Sequence, residues 1–331
     1  MITAVQPEKL LKELEQLWAN LGHDQPADAL LRACSMTLLV ATTDPTDDAE
    51  LKNTLAGLMR AHPGRMIILR ILNSPTPLLE ASVTAQCLLA FGGRQQLCCE
   101  IIEIRSTPDR LADVYAASLG LTVADLPVLL WLKDIRLLNE PAFQPLLQLA
   151  RTLLVDSVPL GAAILPTLND RRRAGWRLKD LAWTRCTAWR ETLAQAFEST
   201  CLQGQIPQIT RVDIAYAGAT PSVSALYLRA WLAARLPQAA FHFVPAPPRR
   251  HGNLQALRFH AATQNPASYA LELRAEDDAT LEIVTNTLTT RVLAPARSEV
   301  DLLEEELSIL GDDLIYEATL AATVTPVPTA E

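Results

Sequence analysis

The feature that most constrains the fold is a strand, helix, strand succession with short links near the middle of the chain. Residues 126–132 form an apolar run typical of a buried strand, 141–150 have the pattern of a helix, and 152–156 form a second apolar run. Strands joined in this way are usually parallel, with a right-handed crossover. The sequence therefore predicts an α/β domain in the first half of the chain.

Upstream segments extend this domain. Apolar periodicity and capping residues predict helices over residues 7–22, from Asp47 to near His62, and over 107–119. Strands are predicted at 33–43, 65–73, 79–91 and 97–105. Since the last three strands follow one another through short links, we expect antiparallel neighbours among them and a mixed sheet.

The second half predicts another α/β domain. It contains three amphipathic helices, which begin at Thr187, at Thr220-Pro221 and at Ser298. Strands are predicted near 209–216 and 239–244, and four strand-like segments between residues 256 and 293 are spaced as an antiparallel meander. The predicted class is α/β: two α/β domains with mixed sheets flanked by helices. We expect an N-terminal domain over 1–165, a C-terminal domain over 166–322 and a disordered tail over 323–331.

Composition excludes some functions. The chain has 331 residues and a net charge of −8, with a pI of about 5.3. A general nucleic-acid binder needs a basic face, which this balance disfavours. The first ten residues do not resemble a signal peptide, and no apolar run is long enough to span a bilayer. We therefore expect a cytoplasmic protein with no nucleic-acid or membrane partner.

The cysteines and histidines do not form a recognisable motif. The six cysteines lack CxxC spacing, and four of them, Cys34, Cys87, Cys98 and Cys99, lie in apolar runs, so we expect buried, reduced thiols. The five histidines are scattered and have no partner visible in the sequence, which favours structural roles.

No motif of a catalytic or cofactor site is present. GxGxxG, the P-loop, HExxH and GxSxG are all missing from the sequence. An α/β chain without these motifs favours a binding or regulatory protein over an enzyme. We accordingly expect no catalytic residues, no metal and no cofactor.

Two arginine clusters are candidate phosphate sites. One consists of Arg171, Arg172 and Arg173, and the other of Arg249 and Arg250. Guanidinium groups bind phosphate well, and they bind acidic partner surfaces equally well. Charge runs usually face water, however, so a solvated surface is the favoured interpretation.

A short aromatic and basic stretch is the strongest candidate site. Two tryptophans and two arginines alternate in it, with two aspartates as polar partners, and the candidate partner-binding residues are Asp156, Asp180, Trp183, Arg185, Trp189 and Arg190. Tryptophan and arginine dominate the energetics of many interfaces. The same residues could instead pack within their own domain or join the two domains, and this alternative is open.

These residues also carry a resemblance. The run Asp180-Leu181-Ala182-Trp183-Thr184-Arg185, followed by residues 189–191, resembles the glucose-6-phosphate dehydrogenase assembly protein family, often called OpcA. Residues 62–65, 126–131 and 153–157 match it in the same order, and the likeness spans roughly 30–310. The chain has Gly64 and Ala188 where the family often has Ser and Pro.

The resemblance implies a bacterial protein of two α/β domains. It further implies a non-catalytic partner that promotes assembly or activity of glucose-6-phosphate dehydrogenase, an allosteric effector in the oxidative pentose phosphate pathway. Two other classes remain open on the residues alone. One is a sensor of a sugar phosphate or nucleotide that uses the arginine clusters, and the other is a hydrolase of the same pathway.

Overall fold

The chain is organised as two compact units. The computed structural model describes residues 5–23, 30–90, 95–248, 253–262, 270–309 and 311–324. Unit 1 consists of Met1–Asp156, Trp176–Lys179 and Glu299–Leu310; unit 2 consists of Ser157–Gly175, Asp180–Ser298 and Gly311–Glu331. The boundary expected at 165/166 thus falls within a segment of unit 2, and a late segment returns to unit 1.

The strands form two sheets. In chain order they are β1 Leu30–Arg32, β2 Thr37–Thr42, β3 Arg65–Ile71, β4 Leu79–Ala90, β5 Gln95–Ser106, β6 Val128–Leu132, β7 Thr152–Val155, β8 Arg177–Asp180, β9 Ile209–Tyr216, β10 Ala240–Pro245, β11 Leu254–Ala261, β12 Leu271–Ala275, β13 Thr280–Val284 and β14 Thr289–Leu293.

The helices flank these sheets. In chain order they are α1 Pro7–His23, α2 Asp48–Leu58, α3 Leu111–Leu121, α4 Gln144–Leu147, α5 Leu165–Arg173, α6 Leu181–Thr184, α7 Thr187–Glu198, α8 Thr200–Gln203, α9 Val223–Ala233, α10 Glu299–Ser308 and α11 Leu314–Val324. Of the tail predicted at 323–331, the first two residues end α11, and 325–331 lie outside the described residues.

The sheet of unit 1 has the order β1-β5-β3-β2-β6-β7-β8, with β4 paired to β5. Strands β2, β3 and β7 are buried along their whole length, as expected for parallel strands that are covered on both faces. β4 and β5 are antiparallel, as predicted. The expectation of antiparallel neighbours was wrong for β3, which pairs in parallel with β2 and β5.

The sheet of unit 2 has the order β10-β9-β11-β12-β13-β14. β9 and β10 are parallel, and the ladder from β9 through β14 is antiparallel. This arrangement confirms the predicted α/β class with a meander in the second half. Strand β9 therefore has a parallel neighbour on one side and an antiparallel neighbour on the other, and α9 follows its carboxyl end.

Helix α10 completes unit 1 from a late part of the chain. It packs on α2, where a Cβ added to Gly57 would lie 2.9 Å from Val300. The buried Lys179 ammonium on β8 donates to the carbonyl oxygens of Glu306 (2.5 Å) and Ile309 (3.0 Å). These contacts explain why the polar segment 177–180 forms a strand, since its lysine is paired inside the unit.

The cysteines depart from the sequence expectation. The antiparallel register of β4 and β5 places Cys87 opposite Cys98, with a Cα separation of 4.0 Å, and the two form a disulfide. Cys99 and Cys186 are buried free thiols, as expected, whereas Cys34 is exposed. The prediction of reduced thiols was wrong for the cross-strand pair because sequence spacing alone did not reveal the register.

The described residues hold neither a membrane span nor a metal cluster. No helix in the described part of the chain is long and apolar enough to cross a membrane. The same residues contain no group of three or more His, Cys, Asp and Glu side chains placed to hold a metal ion.

Candidate functional site

Asp180 is the centre of the candidate site in unit 2. It ends β8 and caps α6, because its Oδ1 accepts a hydrogen bond from the Ala182 N–H at 2.9 Å. The same oxygen accepts from the Ser157 N–H at 3.1 Å, and Oδ2 accepts from the Tyr227 hydroxyl at 2.7 Å. The side chain is fully buried, and these three donors offset the loss of water around a carboxylate.

Trp183 lies beside this carboxylate in an aromatic cluster. Its Nε1 donates to Asp313 Oδ2 at 2.9 Å, and its ring centroid lies 5.9 Å from those of both Tyr227 and Tyr316. The Arg190 guanidinium carbon lies 3.8 Å from the ring centroid, within the range of a cation–π contact. We call Asp180, Trp183, Tyr227 and Tyr316 the Asp180 cluster.

Within this cluster the Tyr227 hydroxyl stays protonated. Burial raises the pKa of Tyr227 well above its usual value, and the negative charge of Asp180 raises it further. Tyr227 therefore remains a hydrogen-bond donor at neutral pH. Edge-to-face ring contacts and satisfied polar atoms give this region a fixed geometry.

A cleft opens next to the Asp180 cluster, entirely within unit 2. Its volume is about 370 Å³. Five parts of the unit supply its walls: the segment after β7, the turn from α6 into α7, the N-terminus of α9, the start of β11, and the segment after β14. The described lining residues are Val158, Arg185, Cys186, Ala188, Trp189, Ser222, Ser224, Asn253, Leu254, Ala294, Pro295, Ala296 and Arg297. We call this the α7–α9 cleft.

The α7–α9 cleft lies at the carboxyl end of β9. Leu254, which lines it, is paired with Tyr216, the last residue of that strand. Ser222 caps α9, with its Oγ accepting from the Ala225 N–H at 3.2 Å, and its own N–H donates to Asn253 Oδ1 at 2.8 Å. In open α/β sheets, ligands bind at this edge, where strand neighbours change direction.

The chemistry of the cleft is that of recognition. Burial raises the pKa of the Cys186 thiol to about 12, so it stays protonated and is a poor nucleophile. Among the described lining residues, two are arginines and none is acidic or a histidine. This arrangement can attract an anion, and its described residues include no pair of acid and base for proton transfer.

The partner-binding candidates differ in how far their side chains are exposed to solvent. Asp180 is fully buried, and Trp183 and Trp189 are 2% and 5% exposed. Arg185 is exposed and Arg190 half-buried. Of these candidates, Arg185 and Trp189 line the cleft.

The sixth candidate lies in the other unit. Asp156 belongs to unit 1 and is half-buried. There its negative charge contributes to the raised pKa of Glu299, whose main cause is burial.

The arginine clusters predicted from the sequence lie elsewhere. Arg171, Arg172 and Arg173 occupy the last turn of α5. Arg172 Nε donates to Asn169 Oδ1 at 3.1 Å, and Arg173 lies 4.0 Å from the Asp170 carboxylate. Arg249 and Arg250 lie outside the described residues. None of the three α5 arginines is among the described residues that line the cleft.

Sequence reasoning missed several residues of the site. Tyr227 and Tyr316 are on helices far along the chain, and Arg297 lies in an irregular segment, so no local pattern connects them to Trp183. Ser222 did carry a signal, since a serine after Pro221 and before an apolar periodic run is a typical N-cap. The helix was instead expected to begin at Thr220-Pro221, two residues too early.

A second polar cluster occupies β9 and β11 of unit 2. His260 Nε2 lies 2.9 Å from Asp213 Oδ2, and Arg211 Nε donates to Asp213 Oδ1 at 2.7 Å. Burial raises the pKa of Asp213, but hydrogen bonds from Arg211 and His260 outweigh it and hold the pKa below its usual value. His260 therefore has a partner that the sequence did not reveal.

The sequence matches both domains of one family, which is described as a glucose-6-phosphate dehydrogenase subunit. Residues 56–173 match its N-terminal domain, and residues 177–320 match its C-terminal domain. The two matches follow each other in the order of the family and take in the Asp180 cluster and most of the cleft.

Curated relatives named "Putative OxPP cycle protein OpcA" come from cyanobacterial species. The chain is 28% identical to OpcA of Nostoc punctiforme over 215 residues, which are 64% of this chain and 45% of the relative. It is 24% identical to OpcA of Synechococcus elongatus over 229 residues, 68% of this chain and 47% of the relative. The chain thus spans about half the length of these relatives.

Two solved structures that are similar to this chain at low identity are titled as dehydrogenases. A glucose-6-phosphate dehydrogenase in complex with glucose-6-phosphate gives a TM-score of 0.49 at 8% identity, covering 88% of this chain and 90% of that one. A dehydrogenase from Chromobacterium violaceum gives 0.44 at 8% identity, covering 89% and 92%.

The family matches and the named relatives agree with the resemblance carried by residues 180–191. Because both domain matches occur in order and almost without a gap between them, the chain belongs to the glucose-6-phosphate dehydrogenase assembly protein family, OpcA.

Proposed function

We propose that this chain is a non-catalytic assembly factor and allosteric activator of glucose-6-phosphate dehydrogenase, acting by protein–protein binding in the oxidative pentose phosphate pathway. The observation that carries the proposal is the match of both halves of the chain to domains described as parts of a glucose-6-phosphate dehydrogenase subunit. The curated relatives are named for the OxPP cycle, which supports the same pathway.

The site supports a binding role. Arg185 is exposed beside the α7–α9 cleft, and Trp189 lines it. Arginine and tryptophan are the residue types that contribute most at protein interfaces. The cleft thiol of Cys186 is protonated, which favours recognition over nucleophilic chemistry.

In this proposal the buried candidates do not contact the partner but position the residue that does. Asp180 and Trp183 are too buried to touch a partner, and they hold α6 and the start of α7 in place. Arg185 projects from the turn that they fix. The Asp180 cluster is thus the support of the interface, and Arg185 is its contact residue.

Activation requires a difference in affinity. An effector shifts an equilibrium between enzyme states only as far as it binds one state better than the other. A tenfold preference corresponds to about 1.4 kcal/mol. One or two interface contacts made only with the active oligomer supply that amount.

The test is a rate assay with the dehydrogenase from the same organism. NADPH production is followed against glucose 6-phosphate concentration with and without the chain, and the chain alone is the control. We expect no turnover by the chain alone and, in its presence, a higher rate or a lower half-saturating substrate concentration. A saturating amount of folded chain that leaves both quantities unchanged overturns the proposal.

A matched pair of variants locates the interface. Arg185→Gln removes the charge at the cleft, and Arg173→Gln removes an exposed charge from α5 in the same unit. We expect Arg185→Gln to weaken activation and Arg173→Gln to leave it unchanged. Equal activation by both variants removes Arg185 from the proposed interface.

A further inference from the structure

Strand β4 is an edge of the sheet of unit 1. It runs over Leu79–Ala90, which are 12 residues, and pairs with β5 through an antiparallel register without a shift. Within the described part of the chain no second strand pairs with it. Proteins usually protect such an edge with proline, lysine, a bulge or short length. The β4 sequence contains neither proline nor lysine, its register has no bulge, and it is long.

The ladder with β5 shows which backbone groups of β4 face outward. The Leu78 carbonyl oxygen accepts from the Thr107 N–H at 3.1 Å, so this pair is hydrogen-bonded. Hydrogen-bonded and non-hydrogen-bonded pairs alternate along an antiparallel ladder, and the Cα atoms of the second kind lie closer together. Cys87 and Cys98, with Cα atoms 4.0 Å apart, are a pair of the second kind. Even-numbered residues of β4 therefore bond to β5, and odd-numbered residues point their N–H and C=O groups away from it.

Three odd-numbered residues occupy the middle of this open edge: Ala81, Val83 and Ala85. No hydrogen bond joins their backbone groups to any described residue outside the ladder. Helix α1 packs on β4, but it covers a face of the strand. Its Trp18 Nε1 donates to Glu100 Oε1 at 2.9 Å, and Glu100 lies directly opposite Ala85 on β5. The edge itself is thus a row of unpaired donors and acceptors.

The sequence of β4 is compatible with a second copy of itself. Glu80 is the only charged residue of the strand, and it lies near one end. Antiparallel pairing of two copies about Val83 places each Glu80 opposite Gln86 of the other copy, with the two glutamates about 20 Å apart. The exposed Ser82 and Thr84 then lie opposite each other. This arrangement avoids like charges in opposite positions, which destabilise a strand pair.

We infer that two copies of this chain associate through β4, antiparallel about Val83, so that the sheet of unit 1 continues across a two-fold axis. Ala81, Val83 and Ala85 of the two copies form about six N–H···O bonds in total. A two-fold interface is used up when two copies have met, so the assembly ends at a dimer. The inference concerns the chain alone and is independent of the binding of a dehydrogenase.

The experiment is sedimentation velocity of the full chain without any dehydrogenase. The chain carries Cys34→Ser, because the exposed Cys34 thiol would otherwise be able to link copies covalently. Salt of about 0.15 M screens the repulsion between two chains of net charge −8. We expect the mass to rise from monomer to dimer with increasing chain concentration, and no larger species.

A matched pair of variants locates the interface. Thr84→Lys places two lysines close to the two-fold axis, and we expect the dimer dissociation constant to rise at least about tenfold. Thr290→Lys changes an exposed threonine on β14, an edge strand of the other sheet, and leaves the constant unchanged. Val83→Pro removes an N–H that faces the open edge, which an edge strand tolerates, and it abolishes the dimer. Circular dichroism confirms that each variant is folded.

Amide hydrogen exchange gives a second readout at single residues. In the dimer the N–H groups of Ala81, Val83 and Ala85 are bonded to the second copy, so we expect them to exchange more slowly at high chain concentration than at low concentration. The N–H groups of Ser82 and Thr84 bond to β5 in both states, and their exchange changes little. Protection that does not alternate along β4 contradicts strand pairing at this edge.

Four further results overturn the inference. The first is folded chain that stays monomeric up to about 100 μM, well above the micromolar range of weak interfaces. The second is a dimer that survives both Thr84→Lys and Val83→Pro, and the third is a dimer that only Thr290→Lys dissociates, which moves the interface to β14. The fourth is a monomer whose binding to the dehydrogenase is lost in Thr84→Lys, which assigns the edge to a strand of that partner.

Discussion

Residues 180–190 consist of two regions with opposite character. Asp180 and Trp183 are buried, and every polar group on their side chains has a partner at 2.7–3.1 Å. Arg185 is exposed, and the Trp189 nitrogen lacks a partner among the described residues. A single short motif therefore contains buried residues whose polar groups are paired and an exposed arginine, and its residues differ in what their substitution changes.

The largest effect is expected at the centre of the support. Asp180→Ala leaves the Tyr227 hydroxyl and two backbone N–H groups without their acceptor, so we expect the free energy of unfolding to fall by about 3 kcal/mol. Urea unfolding measures it. Asp180→Asn, which keeps one acceptor oxygen, costs less. Equal stability of the alanine variant and the wild type contradicts the support role.

The two tryptophans provide a matched comparison. Trp183→Phe removes the hydrogen bond to Asp313, and we expect a loss of about 2 kcal/mol in unfolding free energy, since the acceptor is charged. Trp189→Phe removes a donor that has no partner among the described residues, so its loss is smaller. If Trp189→Phe proves the more destabilising of the two, the division of the motif is wrong.

Substitution of Arg185 is expected to change activation of the dehydrogenase and to leave stability almost unchanged. Because the side chain is exposed, Arg185→Gln is expected to change the unfolding free energy by no more than about 0.5 kcal/mol. The concentration of chain needed for half-maximal activation of the dehydrogenase is expected to rise about tenfold. A drop in melting temperature that accounts for the lost activation assigns Arg185 to the support instead.

The smallest expected effect concerns the reactivity of the Cys186 thiol. Burial raises the pKa of Cys186 to about 12, so it remains protonated at pH 8 and resists alkylation. Cys34 is exposed and reacts. Iodoacetamide treatment of the native chain followed by peptide mass spectrometry distinguishes them. Labelling of Cys186 at the rate of Cys34 shows that the cleft opens more widely than its geometry indicates.

The sequence predicted most elements of the fold because apolar periodicity is a local signal. It did not predict β8, whose Arg177 and Lys179 resemble a solvated linker until Lys179 meets the carbonyl oxygens of α10 and the residue just after it. Helix α11 was missed although a signal existed. Asp313 caps it by accepting from the N–H groups of Ile315 and Tyr316, and the apolar residues that follow are helical in spacing.

The site was predictable only in part. The spacing of Trp183 and Trp189 and the arginines beside them marked the region correctly, but spacing does not indicate which tryptophan has an acceptor. That distinction depends on Asp313, which is 130 residues away from Trp183. Arg297 gave no signal because it lies in an irregular segment, where neither periodicity nor capping applies.

The interleaving of the two units has a consequence for synthesis. During translation, unit 1 lacks its last helix until α10 has left the ribosome, although most of its strands are made early. Until then the Lys179 ammonium has no carbonyl oxygens from α10, and the surface of α2 around Gly57 is uncovered. A truncated product that ends at Arg173 would therefore carry an unfinished sheet with an open face, a target for chaperones and proteases.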